Sequence, residues 1–291
     1  MRLVVTGGSS FVGAWFCLAA RDEHEVIALY SRTPVRLQGV RSVQIDLGDP
    51  RAATQLAELS PDAVIHAACK VKGTGDGRSE TPSTRLNRRM MDAVLAQGVP
   101  VVYASSTCVH WEQTSGYARG RRDDELRLRD AGLPWAVLRP CAPYGPRLPG
   151  HVPSHKESFH TLAELVRRSP AVPVIGDGRY LRQPIHVDDF SQAILALLNR
   201  GLPGAAFDAG GREALSFRDI VKTCARHLGV RRAILPVPKR VLVRAMRLSP
   251  DFEPDLLETS DCDDVADPHA LAEATGRLPR SFAAGVGDLF L

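Results

Sequence analysis

One tyrosine of the chain has a cation at a spacing that suits proton transfer. Tyr117 is followed four residues later by Arg121, and none of the other four tyrosines has a basic residue at that distance. Residues four apart lie on one face of a helix, so we expect the phenol and the guanidinium side by side. A nearby fixed positive charge favours the phenolate and is expected to lower the pKa of the tyrosine. The pair therefore predicts a proton-transfer site.

Three hydroxyl side chains precede this pair. Ser105, Ser106 and Thr107 follow an expected strand, Val99–Ala104. The carboxyl ends of strands in an open parallel sheet line the ligand crevice, so a serine hydroxyl at this point can work together with Tyr117. Such a phenol and hydroxyl beside a nicotinamide ring would move a proton while the ring exchanges a hydride.

A glycine-rich stretch near the N-terminus could hold such a cofactor. Thr6-Gly7-Gly8-Ser9-Ser10-Phe11-Val12-Gly13 lies between an apolar run and an apolar helical segment. A buried strand, a tight turn and a helix start have this pattern, and a dinucleotide pyrophosphate binds at such a turn. Ser10 occupies the place of the middle glycine in a Gly-x-x-Gly-x-x-Gly spacing, so the turn has to accept a side chain near the pyrophosphate.

Strand and helix patterns alternate through the first half of the chain. The expected strands are Leu3–Val5, Glu25–Tyr30, Val43–Leu47, Pro61–Ala68 and Val99–Ala104, and the expected helices are Ala14–Ala20, Arg51–Leu59 and Arg85–Gln97. This alternation predicts an α/β fold, a Rossmann-type doubly wound parallel sheet. The later part departs from it, so we expect a Rossmann domain of residues 1–143 plus 181–211 and a smaller, mainly C-terminal substrate lobe of residues 144–180 plus 212–291.

The order of the motifs resembles one enzyme family. The glycine stretch is joined by Asp46-Leu47, His66-Ala67-Ala68, Tyr103-Ala104-Ser105-Ser106-Thr107, Leu133 to Pro140, Tyr144-Gly145-Pro146, Val172 to Gly178 and Arg182 to Asp189. Together they resemble an extended short-chain dehydrogenase/reductase, from the family of nucleotide-sugar epimerases, dehydratases and reductases. The resemblance covers most of the chain.

The resemblance implies roles by position. Tyr117 would be the general acid/base and Ser106 its hydroxyl partner, with Thr107 as the alternative if the register shifts by one residue. Arg121 would bind the cofactor ribose and tune the tyrosine. The cofactor-binding residues would be Gly7, Ser9, Ser10, Phe11, Val12, Gly13, Arg32, Asp46, Leu47, Ala67, Ala68, Tyr117, Arg121 and Pro140. The residues expected on the substrate side are Tyr144 and Arg182.

Three departures from the family pattern lie around the cofactor site. Ser10 replaces a glycine, Arg121 replaces a lysine, and the spacing from Ser106 to Tyr117 is short. A guanidinium stays charged and cannot release a proton in a relay. We therefore predict an NAD(P)-dependent oxidoreductase, epimerase or dehydratase acting on a carbonyl or alcohol centre, with a nucleotide-linked sugar as substrate. The alternatives are an altered site that catalyses a non-redox cyclisation, elimination or rearrangement, or a dinucleotide-binding protein without turnover.

The second expected strand bears on the choice of cofactor. An acidic residue at its end accepts from the ribose 2′-hydroxyl of NAD, and a basic one suits the 2′-phosphate of NADP. No acid follows Tyr30 there, and Arg32 is available. The sequence thus favours NADP(H), with NAD(H) as the second possibility.

Composition and charge argue against several other classes. A net charge of +4 is too weak to indicate nucleic acid, and no apolar run approaches the length of a membrane span. The basic stretch Lys239–Leu248 is expected to be a helix of the substrate lobe. His151, His155 and His160 lie in a Pro/Gly-containing loop without further ligands, so we predict no metal. The six scattered cysteines are expected to be reduced thiols of a cytoplasmic protein. A homodimer is compatible with the resemblance.

Overall fold

The computed structural model describes residues 1–111, 115–149, 151, 157–246 and 261–291. Within them the strands are β1 (Arg2–Thr6), β2 (Glu25–Tyr30), β3 (Arg41–Gln44), β4 (Ala63–His66), β5 (Val101–Ala104), β6 (Trp135–Pro140), β7 (Ala171–Ile175), β8 (Leu181–Arg182), β9 (Ala205–Ala209), β10 (Leu215–Ser216) and β11 (Ala233–Val237).

The helices alternate with these strands as far as β6, except that β3 follows β2 directly. They are α1 (Phe11–Ala20), α2 (Ala52–Ala57), α3 (Pro82–Leu95), α4 (Gly116–Asp130), α5 (Ser158–Arg168), α6 (Val187–Arg200), α7 (Phe217–His227), α8 (Lys239–Met246), α9 (Pro268–Thr275) and α10 (Phe282–Gly285). Side-chain caps fix several starts. Ser115 accepts from Ala118 N–H at the start of α4, and Thr81 forms a reciprocal capping box at the start of α3.

Seven parallel strands form the central sheet in the order β3-β2-β1-β4-β5-β6-β9. The strand order reverses between β1 and β4, and in doubly wound sheets a ligand binds at the carboxyl ends of the strands at such a point. Both faces of the sheet are covered, one by α1 and α6 and the other by α2, α3 and α4, which explains the unbroken apolar runs of β1 and β4. The predicted α/β fold is confirmed.

A third apolar cluster lies outside the sheet. Residues of α5, β7, α7 and α10 form it, and β7 pairs there with β11 in parallel. Trp15 of α1 donates its indole N–H to the carbonyl of Pro146 at 3.1 Å, and the rings of Phe11 and His160 meet edge to face. These contacts join the segment after β6 to the N-terminal end of α1. The division of the chain at residues 143/144, 180/181 and 211/212 stays a prediction.

Several expected boundaries were wrong. β3 ends at Gln44, so Asp46 and Leu47 lie in the turn that follows it rather than within the strand. α3 begins at Pro82, because Thr81 caps it. In the basic stretch a helix covers 239–246, and residues 247 and 248 lie outside the described ranges. The described helices are all too short or too polar to cross a bilayer.

Candidate active site

The ends of β1 and β4 are tied together at the point where the strand order reverses. Thr6 Oγ1 lies 2.7 Å from His66 Nδ1 and accepts the backbone N–H of Ala68 at 3.3 Å. Burial and the positive charge of Arg121 lower the pKa of His66 to about 3, so its ring is neutral at physiological pH. These hydrogen bonds therefore fix the ends of β1 and β4 relative to each other at the base of the crevice.

The glycine turn after β1 leaves no space for a side chain at Gly7 or at Gly13. Gly7 has a φ of 68°, and a Cβ on it would lie 2.6 Å from the backbone nitrogen of Ala68. A Cβ on Gly13 would lie 2.3 Å from the carbonyl oxygen of Gly7. The turn and the start of α1 thus come together through glycine backbone alone, as a pyrophosphate-binding turn requires.

Ser10 directs its side chain to the helix that follows. Its hydroxyl oxygen accepts the backbone N–H of Gly13 at 3.0 Å and so caps α1. The first N–H groups of a helix have no partner within the helix, and Ser10 takes one of them. The serine therefore fits the turn, but it competes for a donor that a phosphate would use.

A histidine from the neighbouring segment covers this turn. His151 is buried, its Nε2 lies 3.3 Å from the carbonyl oxygen of Ser9, and its Nδ1 has no hydrogen-bond partner among the described residues. Burial lowers the pKa of His151. A buried ring nitrogen left without a partner beside glycine backbone fits a site that is completed by a polar ligand. The residues present therefore suit a dinucleotide.

Arg121 is buried between two tyrosines. Only 6% of it is exposed, and its guanidinium carbon lies 5.2 Å from the ring centre of Tyr103 and 5.1 Å from that of Tyr117. Its Nη1 donates to the Tyr103 hydroxyl at 2.8 Å and to the carbonyl of Ala104 at 3.0 Å. Its Nε finds no acceptor within the part of the chain that the structure describes. The predicted pairing of Tyr117 and Arg121 on one helix face is thus present.

Tyr103 continues the chain of hydrogen bonds to an acid. Its hydroxyl donates to Asp124 Oδ2 at 3.1 Å, and its ring stacks on His66 with 5.5 Å between the centres. Asp124 is also only 6% exposed. Arg121 and Asp124 thus lie on a buried face of α4, although this helix is rich in charged residues. Helical spacing identifies residues that share a face but not the face that is buried.

The acid–base properties differ from the sequence expectation. Burial raises the pKa of Tyr117 well above its ordinary value, and the positive charge of Arg121 offsets only part of that rise. The expected net lowering of this pKa is therefore wrong for the chain by itself. Burial also raises the pKa of Asp124 to about 6, against the opposing effects of Arg121 and the Tyr103 hydroxyl. Tyr117 thus holds its proton firmly.

The two candidate hydroxyl partners follow β5. Ser106 is half-buried, and its oxygen accepts the N–H of Cys108 at 3.3 Å at the start of a 3₁₀ turn. Thr107 is buried and its hydroxyl lies 3.5 Å from the carbonyl of Pro140. The choice between them as partner of Tyr117 stays a prediction.

A second network of charges lies on the other side of α4. Arg139 donates to Glu125 through Nε at 3.0 Å and Nη2 at 2.6 Å, and through Nη1 to Asp208 at 3.1 Å. Ser105 donates its hydroxyl to Glu125 at 2.6 Å, and His110 contacts Asp208 at 2.9 Å. The first of the three hydroxyls thus belongs to this network and not to the tyrosine.

The remaining cofactor candidates surround the crevice or its edges. Arg32 is exposed directly after β2, and Asp46 is exposed with its carboxylate on the N–H of Gly48 at 2.9 Å. Leu47 is buried and packs in the core below, so only its backbone can face a ligand. The small or backbone-contributing positions Ala67, Ala68, Val12 and Pro140 are half-buried.

The two predicted substrate residues are placed differently from expectation. Tyr144 is 0% exposed and packs against Phe159, His186 and Phe282, so its side chain belongs to the core of the third cluster. This correction follows from aromatic packing that spacing does not show. Arg182 is half-buried, stacks on Tyr180 and donates to the carbonyl of Cys262. A substrate would have to compete with that contact.

Sequence reasoning missed Tyr103, Asp124 and His66. One signal was present, because Asp124 stands three residues after Arg121 and seven after Tyr117, on the same helix face. The role of Tyr103 had no local signal, since it depends on β5 and α4 meeting across the sheet.

The chain was compared with known protein families and sequences. The sequence model of the NAD dependent epimerase/dehydratase family matches residues 3–115 and 125–210. Ceramide reductase from Caulobacter vibrioides is 27% identical over 246 residues, covering 81% of this chain and 73% of the relative. The dTDP-L-rhamnose 4-epimerase of Burkholderia thailandensis is 24% identical over 299 residues, covering 78% of this chain and 81% of the relative.

Solved structures show the same fold. UDP-glucose 4-epimerase from Bifidobacterium longum, in complex with NAD+ and UDP, aligns with a TM-score of 0.78 at 17% identity, covering 99% of this chain and 97% of the other. The likeness shows that the two chains share a fold.

Proposed function

This chain belongs to the NAD dependent epimerase/dehydratase family, and on that premise we propose that it oxidises or reduces a carbonyl or alcohol centre of a nucleotide-linked sugar. One observation carries the proposal. The buried guanidinium of Arg121 lies against the ring of Tyr117 at the carboxyl end of β5. The glycine turn follows β1 of the same sheet, at the crevice between β1 and β4. The relatives named above, a reductase and an epimerase, do not favour the non-redox or non-catalytic alternatives.

The chain's own residues would bind the cofactor and move the proton. Gly7, Gly13 and the first N–H groups of α1 would hold the pyrophosphate, and Arg121 would face the ribose with its unpartnered Nε. A nicotinamide dinucleotide supplies or takes up a hydride when bound. Tyr117 would exchange the hydroxyl proton of the substrate, and Ser106 would orient the reacting oxygen.

Burial sets the protonation state of Tyr117 in the ligand-free chain. Because its pKa is raised, its hydroxyl is protonated at neutral pH. When this proton leaves during the reaction, Arg121, whose guanidinium carbon lies 5.1 Å from the centre of the Tyr117 ring, would stabilise the phenolate that remains.

Tyr117→Phe tests this function. It removes the proton but keeps the ring, so we expect kcat to fall by about a thousandfold while dinucleotide affinity stays unchanged. Turnover is followed by the absorbance of the reduced nicotinamide with UDP-glucose and dTDP-L-rhamnose, and with a long-chain ketone as the non-sugar arm. Full activity of the variant would exclude Tyr117 as the acid/base, and turnover of the ketone alone would exclude the sugar substrate.

For the cofactor we infer a preference for NADP(H). Arg32 is exposed after β2, and neither Ser31, Thr33 nor Pro34 offers a carboxylate to a ribose hydroxyl. Calorimetric titration should give tighter binding of NADPH than of NADH, and Arg32→Ala should remove the difference. Arg36→Ala is the matched control, because Arg36 is an exposed arginine of the same segment. Tighter binding of NADH to the unaltered protein would contradict the preference.

A cytoplasmic location remains an expectation from the cysteine content, and a homodimer remains an expectation from the family resemblance. Light scattering of the purified protein would give the assembly state.

A further inference from the structure

We propose that Tyr103 and Asp124 are positioning residues of this site, and that together they hold the Arg121 guanidinium against the ring of Tyr117. The proposal rests on the role given above to Tyr117 and Arg121, and it adds two residues that act through Arg121. The family match leaves out residues 116–124, which contain both Arg121 and Asp124. The family match therefore assigns no role to Arg121 or Asp124, and the roles proposed for them rest on the contacts in this chain.

The contacts form a single path from the positive to the negative charge. Arg121 Nη1 donates to the Tyr103 hydroxyl at 2.8 Å, and the same hydroxyl donates its own proton to Asp124 Oδ2 at 3.1 Å. One phenol therefore accepts from the cation and donates to the anion. Without the hydroxyl, both charged groups would lose a partner at once.

Burial makes these contacts necessary. Arg121 and Asp124 are each 6% exposed, and a buried charge is tolerated only when other groups compensate it. On its outer side Asp124 faces Arg127, whose Nη1 lies 3.7 Å from Oδ1 and which also pairs with Asp92. Asp124 is thus fixed from both sides, and Tyr103 receives a hydrogen-bond acceptor whose place does not vary.

The geometry also accounts for an arginine at position 121. One terminal nitrogen of the guanidinium reaches both the Tyr103 hydroxyl and the carbonyl of Ala104, while Nε has no hydrogen-bond partner among the described residues. A lysine has a single side-chain nitrogen, so with that nitrogen at Tyr103 and Ala104 it would present no second nitrogen at the place of Nε. Asp124 supplies the counter-charge that a buried guanidinium needs.

A double-variant cycle with NADH and NADPH as probes tests the proposal. Each is titrated into the unaltered protein, Tyr103→Phe, Asp124→Ala and the double variant, and binding is followed by the fluorescence of the reduced dinucleotide. Each single change should raise Kd by about threefold or more, because Arg121 loses its fixed orientation. The double variant should bind about as weakly as the worse single variant, because Arg121 is already released. Asp123→Ala is the matched control, since Asp123 is exposed one position earlier on the same helix, and its Kd should not change.

Two results would overturn the inference. One is a Kd of the double variant that rises by the product of the two single increases, and the other is a single variant whose Kd equals that of the unaltered protein. Circular dichroism checks folding. If Tyr103→Phe does not fold, Arg121→Met takes its place, because it removes the cation that Asp124 helps to hold, and Asp124→Ala should then cost no further affinity. The outcome is separable from that of the proposed function. An unaltered protein that binds neither dinucleotide overturns the function, whereas binding with multiplying losses overturns the positioning alone.

Discussion

Two arginines, Arg121 of α4 and Arg139 of β6, differ in how completely hydrogen bonds and counter-charges satisfy them. Arg139 is 18% exposed at its side chain and donates from all three guanidinium nitrogens to two carboxylates, those of Glu125 and Asp208. Arg121 is more deeply buried, yet it reaches its counter-charge only through a tyrosine hydroxyl and leaves Nε without a described partner. The more buried charge is the less satisfied one.

This difference separates a structural ion pair from a functional one. A buried group that the fold fully satisfies contributes to stability and has no capacity left for a ligand. A buried group that remains partly unsatisfied costs free energy in the ligand-free chain and gains when a ligand arrives. We therefore expect changes at Arg139 to alter stability but not dinucleotide binding, and changes at Arg121 to alter binding.

Replacing Arg139 should have the largest effect on stability. Arg139→Met leaves Glu125 with a mostly buried charge and no cation, which should lower the free energy of unfolding by about 4 kcal/mol. Urea unfolding followed by circular dichroism measures the change. The Kd for NADH, measured on the folded fraction, should be that of the unaltered protein. A weakened Kd would mean that Arg139 also serves the ligand site and that the contrast does not hold.

The pKa of Asp124 makes the Arg121 network pH-dependent. Burial raises this pKa from 3.8 to about 6, while Arg121, Arg127 and the Tyr103 hydroxyl oppose the rise and Asp123 adds to it. A carboxyl whose pKa is raised on folding binds its proton more tightly in the folded state. Its contribution to stability is therefore fully present below the unfolded pKa and is lost as the pH rises through the folded pKa, a change of about 3 kcal/mol.

Asp124→Asn should accordingly flatten the dependence of unfolding free energy on pH between about 4 and 7. Urea unfolding of the variant and of the unaltered protein across this range gives the difference directly. Asp123→Asn is the matched control, because Asp123 is exposed. The opposite result would be an unaltered protein that becomes more stable, relative to Asp124→Asn, as the pH rises. Asp124 would then be stabilised as an anion, and the Arg121 network would be as complete as that of Arg139.

Replacing Arg121 should weaken dinucleotide binding, whereas replacing Arg139 should leave it unchanged. Arg121→Met keeps an unbranched side chain as far as the position of Nε but removes the nitrogen atoms and the charge, so the Kd for NADH should rise about tenfold, or about 1.4 kcal/mol. Fluorescence titration measures it beside Arg139→Met. An unchanged Kd would show that the unpartnered Nε does not face the ligand.

The contrast between the two arginines also shows what the sequence could predict. The sheet and the glycine turn follow from local patterns, since unbroken apolar runs predict buried parallel strands and the glycines predict a tight turn. The pairing of Tyr117 with Arg121 follows from helical spacing. The burial of Asp124 could not be predicted, because a charged helix with one buried face has the same composition as a solvated one.

Long-range packing accounts for the other differences. Tyr103 meets Arg121 only because β5 and α4 lie together, 18 residues apart in sequence. The family resemblance implied that Tyr144 lies on the substrate side. Its full burial depends on Phe159 and on Phe282, which comes from the last part of the chain. Neither contact leaves a periodic signal.

The smallest expected effect lies at the glycine turn. There the contrast between a satisfied and an unsatisfied polar group concerns a single hydrogen bond, the one that Ser10 accepts. Its hydroxyl satisfies the N–H of Gly13, as Glu125 satisfies Arg139, and so withdraws a donor from the ligand. Ser10→Gly removes the cap at a cost of only about 0.3 kcal/mol in unfolding free energy, because glycine is itself tolerated at this position of a helix. The freed N–H should lower the Kd for NADH by about twofold to fivefold.

Ser10→Ala is the control, since it removes the same hydroxyl but keeps the Cβ and so lacks the conformational freedom of glycine. Both variants free the Gly13 N–H, so both should bind NADH more tightly than the unaltered protein, and the alanine variant should unfold more easily by about 1 kcal/mol. Weaker binding in both would mean that the serine hydroxyl itself contacts the pyrophosphate. In that case the Ser10 hydroxyl would leave the Gly13 N–H and contact the ligand on binding. A hydrogen bond that satisfies a polar group in the ligand-free chain would then not be enough to assign that group a purely structural role.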